Sequence, residues 1–267
     1  MHDRLEKALQ IVRETGQDVR NRQQSIGKVE DKTGPMDVVT DVDIETQQTI
    51  FSRLKLFFPG DVFWGEESGI PLSDFNSTWV LDPIDGTTNY LHGLSLYSIS
   101  LAYYSQGKPV VGVIDSPSLG ETFWAEKGSG AFLNGKPIRV SSVSDIRRSL
   151  VSTGYPHNQR QCDIMAPVYQ RLLCRVQALR AIGSAALGVV YVACGRFEGY
   201  FQLGVSFYDI AAGVCILEEA GGKVWQIDRE ALEVTSRSVV AINPLIQDDF
   251  FEELAQCGVV FPETRRA

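Results

Sequence analysis

The sequence predicts a layered α/β fold in which helices cover the sheets. Two helical patterns come first, at 2–23 and 44–57. From residue 95 onward, apolar residues then recur with a period of two, which is typical of antiparallel strands. After residue 150, helical and strand-like segments alternate toward the end of the chain. This order of elements indicates sheets that are buried between layers of helices.

Composition and charge narrow the class of protein. The chain has 267 residues, of which 44% are hydrophobic, so it can bury a large core. We expect one domain over 1–267, with an N-terminal half at 1–145 and a C-terminal half at 146–267. The formal net charge of −8 disfavours general binding to nucleic acids or to anionic membranes.

Cysteine usage and the distribution of apolar residues predict a cytoplasmic protein. The five cysteines show no CxxC spacing, which favours reduced thiols. The charged start, MHDRLEKALQ, lacks the apolar region of a signal peptide. The longest apolar stretch, around AALGVVYVACG, is too short to span a bilayer.

The first elements are predicted from the spacing of apolar residues and from the glycines and prolines that end a helix. Residues 2–23 are predicted to form an amphipathic helix, because their apolar residues share one helical face. The polar, glycine-containing segment 25–37 is predicted to be a loop that leads into a short β-like run. A second helix over 44–57 is expected to end at Pro59 and Gly60.

The stretch WVLDPIDGTTNY, residues 79–90, carries the strongest chemical signal. Its apolar lead-in predicts a strand that ends in two aspartates. Pro83 has no N–H, so we expect it to prevent the strand from continuing as a central one. The small residues of the GTT segment favour a tight turn, and its amides and hydroxyls could meet an anion at a helix start.

The remaining elements complete the expected pattern. A meander of short strands follows residue 95, with Asn134-Gly135 as a type I′ hairpin signal. In the C-terminal half, helices are predicted over 163–178, 180–195, 206–222 and 246–258, and strands over 197–205, 223–227 and 238–242.

Five acids follow apolar runs in this chain: Asp43, Glu66, Asp82, Asp85 and Asp209. One such acid is usually a turn former or a helix cap. Five of them suggest a shared cation, because buried carboxylates are costly unless they are paired or bound to metal. With only three histidines and no spaced His/Cys set, an oxygen-only site predicts Mg²⁺ or Mn²⁺.

Acids beside a phosphate-binding turn indicate attack of a metal-activated water on a phosphate ester. The chain has no GxxxxGK[ST] segment and no GxSxG segment. A P-loop nucleotide hydrolase and a serine hydrolase of the nucleophile-elbow type are therefore disfavoured.

These motifs together resemble the inositol monophosphatase family. GEES, WVLDPIDGTTNY, IGSAAL and YDIAAGVCILEEAGG carry the resemblance, which extends over nearly the whole chain. The family consists of Mg²⁺-dependent, lithium-sensitive phosphatases that share the fructose-1,6-bisphosphatase fold. The resemblance implies a five-layered αβαβα sandwich, a homodimer, and an inositol-1-monophosphatase-like phosphoric monoester hydrolase. It also implies two or three Mg²⁺ ions per site, with Mn²⁺ as a substitute, and a small phosphorylated polyol or sugar as substrate.

The resemblance also implies roles for individual residues. The metal ligands would be the side chains of Glu66, Asp82, Asp85 and Asp209 and the carbonyl of Ile84. Glu66 and Thr87 would hold the attacking water, with Asp43 supporting Thr87. Lys32 would lie on a loop near a third metal. The substrate contacts would be Asp85, Gly86, Thr87, Gly183, Ser184, Ala185, Gln202 and Asp209.

Two residues depart from the family pattern. Tyr208 replaces a common tryptophan, which we interpret as a packing variation. Gln202 stands where inositol-specific members carry a glutamate that accepts hydrogen bonds from ring hydroxyls. A glutamine loses the charge and adds donors, so the substrate could instead be fructose bisphosphate, histidinol phosphate or a nucleotide 3′-phosphate. The GTTNY sequence argues against the 3′-phosphoadenosine 5′-phosphate branch. An additional regulatory role through protein binding and a purely structural metal-binding role also stay open.

Overall fold

In the computed structural model, residues 2–34, 37–68, 75–156 and 158–258 are described. The chain begins with helix α1 (His2–Arg22), strands β1 (Val29–Gly34) and β2 (Asp37–Thr40), and helix α2 (Asp41–Phe57). The two strands pair antiparallel. The prediction of a loop over 25–37 was therefore wrong for β1. Its sequence, VEDKTG, has no apolar alternation, and backbone pairing with the more apolar β2 defines the strand.

The first large sheet is an almost sequential meander. It contains β3 (Val62–Gly65), β4 (Ser77–Asp85), β5 (Ser98–Ser105), β6 (Lys108–Ser116), β7 (Glu121–Glu126), β8 (Ala131–Leu133) and β9 (Lys136–Ile138), in that spatial order. Within the described residues, β3 runs parallel to β4, whereas the other pairs of this sheet are antiparallel. The predicted meander is confirmed. Asn134 and Gly135 have φ values of 49° and 78°, as a type I′ turn requires.

The second sheet holds the alternating part of the chain. Its elements are β10 (Leu150–Thr153), α4 (Gln159–Leu173), β11 (Ala178–Ala181), α5 (Ala185–Ala193), β12 (Gly199–Leu203), α6 (Phe207–Glu219), β13 (Lys223–Trp225), β14 (Ser238–Ile242) and α7 (Gln247–Ala255). The strand order is β11-β10-β12-β14-β13. The predicted helices at 163–178 and 180–195 were wrong over 178–181, because β11 pairs with β10 there. The segment ALRA is too short for its own periodicity to show this.

Three apolar clusters separate five layers. One lies between α1, α2 and the first sheet, one surrounds α5 and α6 between the two sheets, and one lies beneath α4 and α7. The five-layered αβαβα arrangement is confirmed. Helix α6 lies very close to the first sheet, because a Cβ on Gly112 would come within 2.5 Å of the Ala212 carbonyl oxygen. Helix α6 also contacts β4.

Strand β4 continues through Pro83, against the expectation that the strand would stop there. Its pairing with β5 shifts register between Asp82 and Asp85. Proline is tolerated at such an irregularity, because no ladder bond from its nitrogen is needed. The short helix α3 (Thr87–Leu91) then follows Gly86, whose φ of 91° lies in the region that favours glycine.

Candidate active site

The end of β4 supplies two buried aspartates and a backbone carbonyl. Asp82 and Asp85 are 2% and 6% exposed, and Ile84 between them is 1% exposed. Oδ1 of Asp82 accepts a hydrogen bond from the Ile84 N–H at 3.1 Å. The register shift at Pro83 therefore keeps both carboxylates at the same end of the strand.

Thr87 lies at the first turn of α3, against Asp43 at the start of α2. The Thr87 hydroxyl is 3.2 Å from Asp43 Oδ1 and 3.0 Å from the Ile84 carbonyl oxygen. Asp43 is fully buried and forms a capping box with Thr40, whose N–H donates to Asp43 Oδ2 at 2.9 Å. The structure thus brings together Thr87 and Asp43, and the helix start orients the carboxylate.

Glu66 follows β3 and is half-buried. Its neighbour Gly65 is enclosed, since a Cβ there would lie 2.0 Å from Gln47 Oε1. The same Gln47 oxygen accepts from the Glu67 N–H at 3.1 Å. Helix α2 therefore supports the turn that presents Glu66, and no larger residue fits at position 65 without displacing Gln47.

Asp209 stands at the third position of α6, far from the other acids in sequence. Its Oδ2 accepts from the Ser206 N–H at 2.7 Å in a capping box. Burial raises the pKa of Asp209 well above its ordinary value, and the Glu66 charge adds to the effect. Glu66 and Asp209 are therefore close enough to repel each other electrostatically.

Asp85 experiences the same repulsion and receives several hydrogen bonds. Burial raises its pKa to about 6, hydrogen bonds from Ser184, Ala185 and Ala186 oppose this, and the Glu66 charge raises it further. The Ala185 N–H donates to Oδ1 at 2.9 Å and the Ala186 N–H donates to Oδ2 at 3.0 Å. The start of α5 thus meets the end of β4 at this carboxylate.

The donor set suits a hard divalent cation by chemistry and by charge. Among the described residues, no three His, Cys, Asp or Glu side chains lie close enough together to hold an ion as they stand. Asp82, Asp85 and Asp209 each accept from backbone N–H groups, mostly near their own helix or strand ends. Burial and the neighbouring Glu66 charge nevertheless raise the pKa of both Asp85 and Asp209, so a cation bound beside them would favour the charged carboxylates.

The loop before α5 contacts the end of β4. Ser184 caps α5 and donates through its hydroxyl to Asp85 Oδ2. Gly183 has a φ of 73° and faces Gly86, because a Cβ on Gly86 would lie 3.0 Å from the Gly183 carbonyl oxygen. Ser184 and Ala185 therefore contact a candidate metal ligand, and their contact with substrate stays a prediction.

Gln202 lies on β12, beside a buried phenol. The Tyr200 hydroxyl donates to Gln202 Oε1, and burial raises the pKa of Tyr200 well above its ordinary value. A Cβ on Gly154 would lie 2.1 Å from the same oxygen. Tyr200 therefore stays a donor, and the amide NH₂ of Gln202 is the group able to donate to a ligand.

The structure describes the side chain of Tyr208 but not that of Lys32. The backbone of Lys32 lies in β1, but its side chain lies outside the described residues. The ring of Tyr208 packs against Trp64, with 5.7 Å between the centroids, as a packing variation at that position would require.

Two residues that contact the site were not predicted from the sequence. Ser98 on β5 donates to Asp85 Oδ2 at 3.4 Å. Asn89 on α3 donates to the carbonyl oxygens of Leu96 and Ile182. Asn89 lies within WVLDPIDGTTNY, but only its tertiary contacts distinguish it from an ordinary helix residue. Ser98 has no local signal, because its relevance follows from strand register.

Comparisons with known proteins show the family and the fold that this chain shares. The model of the inositol monophosphatase family matches residues 1–258. A Thermotoga maritima protein named fructose-1,6-bisphosphatase/inositol-1-monophosphatase is 37% identical over 247 residues, which cover 92% of this chain and 94% of the relative. Inositol monophosphatase 1 of Solanum lycopersicum is 38% identical over 228 residues, 83% and 84% of the two chains. The solved structure of a Thermotoga maritima IMPase matches with a TM-score of 0.89 at 36% identity, over 96% of this chain and 98% of that one.

Proposed function

The chain belongs to the inositol monophosphatase family, a family of phosphatases, and we propose that it hydrolyses inositol monophosphate or a similar small polyol or sugar phosphate with Mg²⁺. One observation carries the proposal. Glu66, Asp85 and Asp209 come from three separate elements, yet their charges act on one another. A fold gains no stability from such repulsion, so a cation-binding function accounts for it best.

Mg²⁺ fits this group of oxygen donors. Glu66, Asp82, Asp85 and Asp209, with the Ile84 carbonyl, would hold two or three ions, and Mn²⁺ offers similar chemistry. When bound, such ions lower the pKa of a water molecule and stabilise the charge on a phosphate ester and its leaving oxygen.

Thr87 and Asp43 would orient the attacking water. While the Thr87 hydroxyl donates to Asp43 or to the Ile84 carbonyl, its lone pairs can accept a hydrogen bond from one O–H of that water. Glu66 would accept a hydrogen bond from the other O–H, so a lone pair of the water would point toward phosphorus. This positioning is the part of catalysis that the side chains themselves supply.

Substrate choice would depend on Gln202. With its Oε1 engaged by Tyr200, the amide offers donors where a glutamate would offer only acceptors. A ring of hydroxyl groups can still bind, but without charge-assisted bonds at this position. Fructose bisphosphate is the second candidate, because the similar Thermotoga maritima protein carries both activities in its name.

The test is phosphate release from a panel of esters by the purified protein. The panel contains inositol 1-phosphate, fructose 1,6-bisphosphate, histidinol phosphate and a nucleotide 3′-phosphate, each with Mg²⁺ or with chelator, and with or without lithium. We expect Mg²⁺-dependent hydrolysis that includes inositol phosphate and is inhibited by lithium. No release from any ester would contradict the proposal, and similar rates on all of them would indicate a generalist.

We also propose a homodimer in the cytoplasm, as the family resemblance and the cysteine usage suggest. Across the described parts of the chain, none of the helices combines the length and apolarity needed to cross a membrane. The free cysteines described include Cys162 and Cys174, which are exposed. Light scattering of the purified protein would measure the oligomeric state.

A further inference from the structure

We propose that Asn89 is a positioning residue that holds the start of α5 against Asp85, and that this contact prepares the ion site. The inference rests on the proposed function. It concerns the Asn89 bridge, by which we mean the two hydrogen bonds from Asn89 Nδ2 to the carbonyl oxygens of Leu96 and Ile182.

Asp85 accepts hydrogen bonds from the start of α5. Three of its donors, Ser184 Oγ and the N–H groups of Ala185 and Ala186, belong to the start of α5, about a hundred residues away in sequence. Together they engage both carboxylate oxygens. The orientation of Asp85 therefore depends on where the start of α5 lies, and not on β4 alone.

Asn89 holds the chain that leads into α5. Asn89 lies four residues after Asp85, on α3. Its Nδ2 donates to the Ile182 oxygen at 2.8 Å and to the Leu96 oxygen at 2.6 Å. Both partners are acceptors, so only the NH₂ end of the amide can serve them. Ile182 lies two residues before Ser184, so the bridge holds the chain directly before the helix.

Gly183 allows the Asn89 amide to approach closely. A Cβ on Gly183 would lie 2.8 Å from Asn89 Nδ2, so a larger residue would displace the amide. The φ of 73° at Gly183 also favours glycine. The DGTTN segment therefore contacts the start of α5 twice, by a carboxylate at Asp85 and by an amide donor at Asn89.

The Asn89 bridge therefore connects the position of α5 to the orientation of Asp85. Without the bridge, the segment 182–184 loses its contact with α3, and Asp85 loses a fixed set of donors. Its carboxylate would then sample more orientations, and an ion would have to restrict them on binding. The bridge should therefore strengthen ion binding without contacting the ion.

The matched control is Asn243. Its Nδ2 also donates to two backbone carbonyl oxygens, those of Ser141 at 2.9 Å and Val143 at 3.0 Å. Asn243 is fully buried and is not one of the residues assigned to the site. Asn243→Ala should lower stability at least as much as Asn89→Ala, so a comparison of the two separates loss of stability from loss of positioning.

The experiment uses the full chain and two measurements, both well below the melting temperatures of the variants. Hydrogen exchange without metal reports the amides of Ala185 and Ala186. Calorimetric titration with Mn²⁺ reports ion affinity. For Asn89→Ala we expect faster exchange at these amides and about tenfold weaker Mn²⁺ binding, the scale of one or two lost hydrogen bonds. Asn243→Ala should change neither, and Asn89→Ser, which keeps one donor, should lie between wild type and alanine.

Unchanged exchange or unchanged Mn²⁺ affinity in Asn89→Ala would overturn the inference, as would equal effects in Asn243→Ala. If Asn89→Ala does not fold, Asn89→Ser decides in the same way. Absence of Mn²⁺ binding by the wild-type chain would refute the proposed ion site and the role of the bridge in it. Exchange at Ala185 and Ala186 would still show whether the bridge holds α5, which distinguishes that failure from a failure of the contact itself.

Discussion

Replacing Thr87 with valine removes one hydroxyl from the candidate active site and retains the branched shape of the side chain. Thr87 is half-buried, and its hydroxyl lies within 3.2 Å of Asp43 Oδ1 and 3.0 Å of the Ile84 oxygen. The substitution removes one donor from a buried carboxylate and the acceptor that would orient water. We expect kcat to fall by about 100-fold, the order of loss that follows when a reacting group is misplaced by about 1 Å.

Binding and stability should respond differently from kcat. Thr87 is not among the proposed metal ligands, so Mg²⁺ affinity should be largely unchanged. Loss of the hydrogen bond should lower the free energy of unfolding by about 1–3 kcal/mol, which corresponds to a fall of roughly 2–5 °C in melting temperature for a chain of this size. Thermal unfolding without metal measures this loss separately from steady-state hydrolysis at 25 °C.

Two neighbouring variants sharpen the assay. Thr87→Ser keeps the hydroxyl and should retain most of the activity. Thr88→Val makes the same chemical change at the next residue, which is exposed, and should leave kcat near that of the wild type. A Thr87→Val protein with kcat within a factor of about three of the wild type would refute the reasoning, as would an equal loss in Thr88→Val.

Three further predictions concern charge. Asp209→Asn and Asp82→Asn should each nearly abolish Mg²⁺-dependent phosphate release, and calorimetry should show weaker ion binding; near-wild-type turnover in either variant would contradict the metal assignment. Gln202→Glu should raise kcat/KM for inositol 1-phosphate relative to fructose 1,6-bisphosphate, because it restores charged acceptors, and an unchanged ratio would remove Gln202 from the substrate contacts. Burial raises the pKa of Asp115, which accepts from Thr122, from 3.8 to about 6. Its contribution to stability is therefore most favourable below pH 3.8 and is lost as the pH rises to about 6. At about 1.4 kcal/mol per pKa unit, the loss amounts to about 3 kcal/mol. The decline in unfolding free energy between pH 4 and pH 7 should be smaller by up to that amount in Asp115→Asn, measured by urea denaturation, and parallel curves would disprove the assignment.

Sequence patterns predicted an element correctly where the apolar periodicity lies within that element. The helices α1, α2, α6 and α7 and the meander followed from apolar periodicity, which is a property of a short window. Strands β1 and β11 did not follow, because VEDKTG and ALRA lack that periodicity and become strands through pairing with β2 and β10. Strand β4 passes Pro83 because its register shift with β5 removes the need for a ladder bond.

The sequence by itself determined the chemical groups of the candidate site. Acids after apolar runs, a small-residue turn and the absence of a His/Cys set are local facts, and they were enough to suggest oxygen ligation of a cation. Tertiary structure decided which groups these acids meet. Asp85 accepts from Ser184, Ala185 and Ala186, about a hundred residues away, and Asn89 reaches Ile182 across 93 positions. Such partners depend on how the two sheets pack around α5 and α6, and no pattern within a short window contains that information.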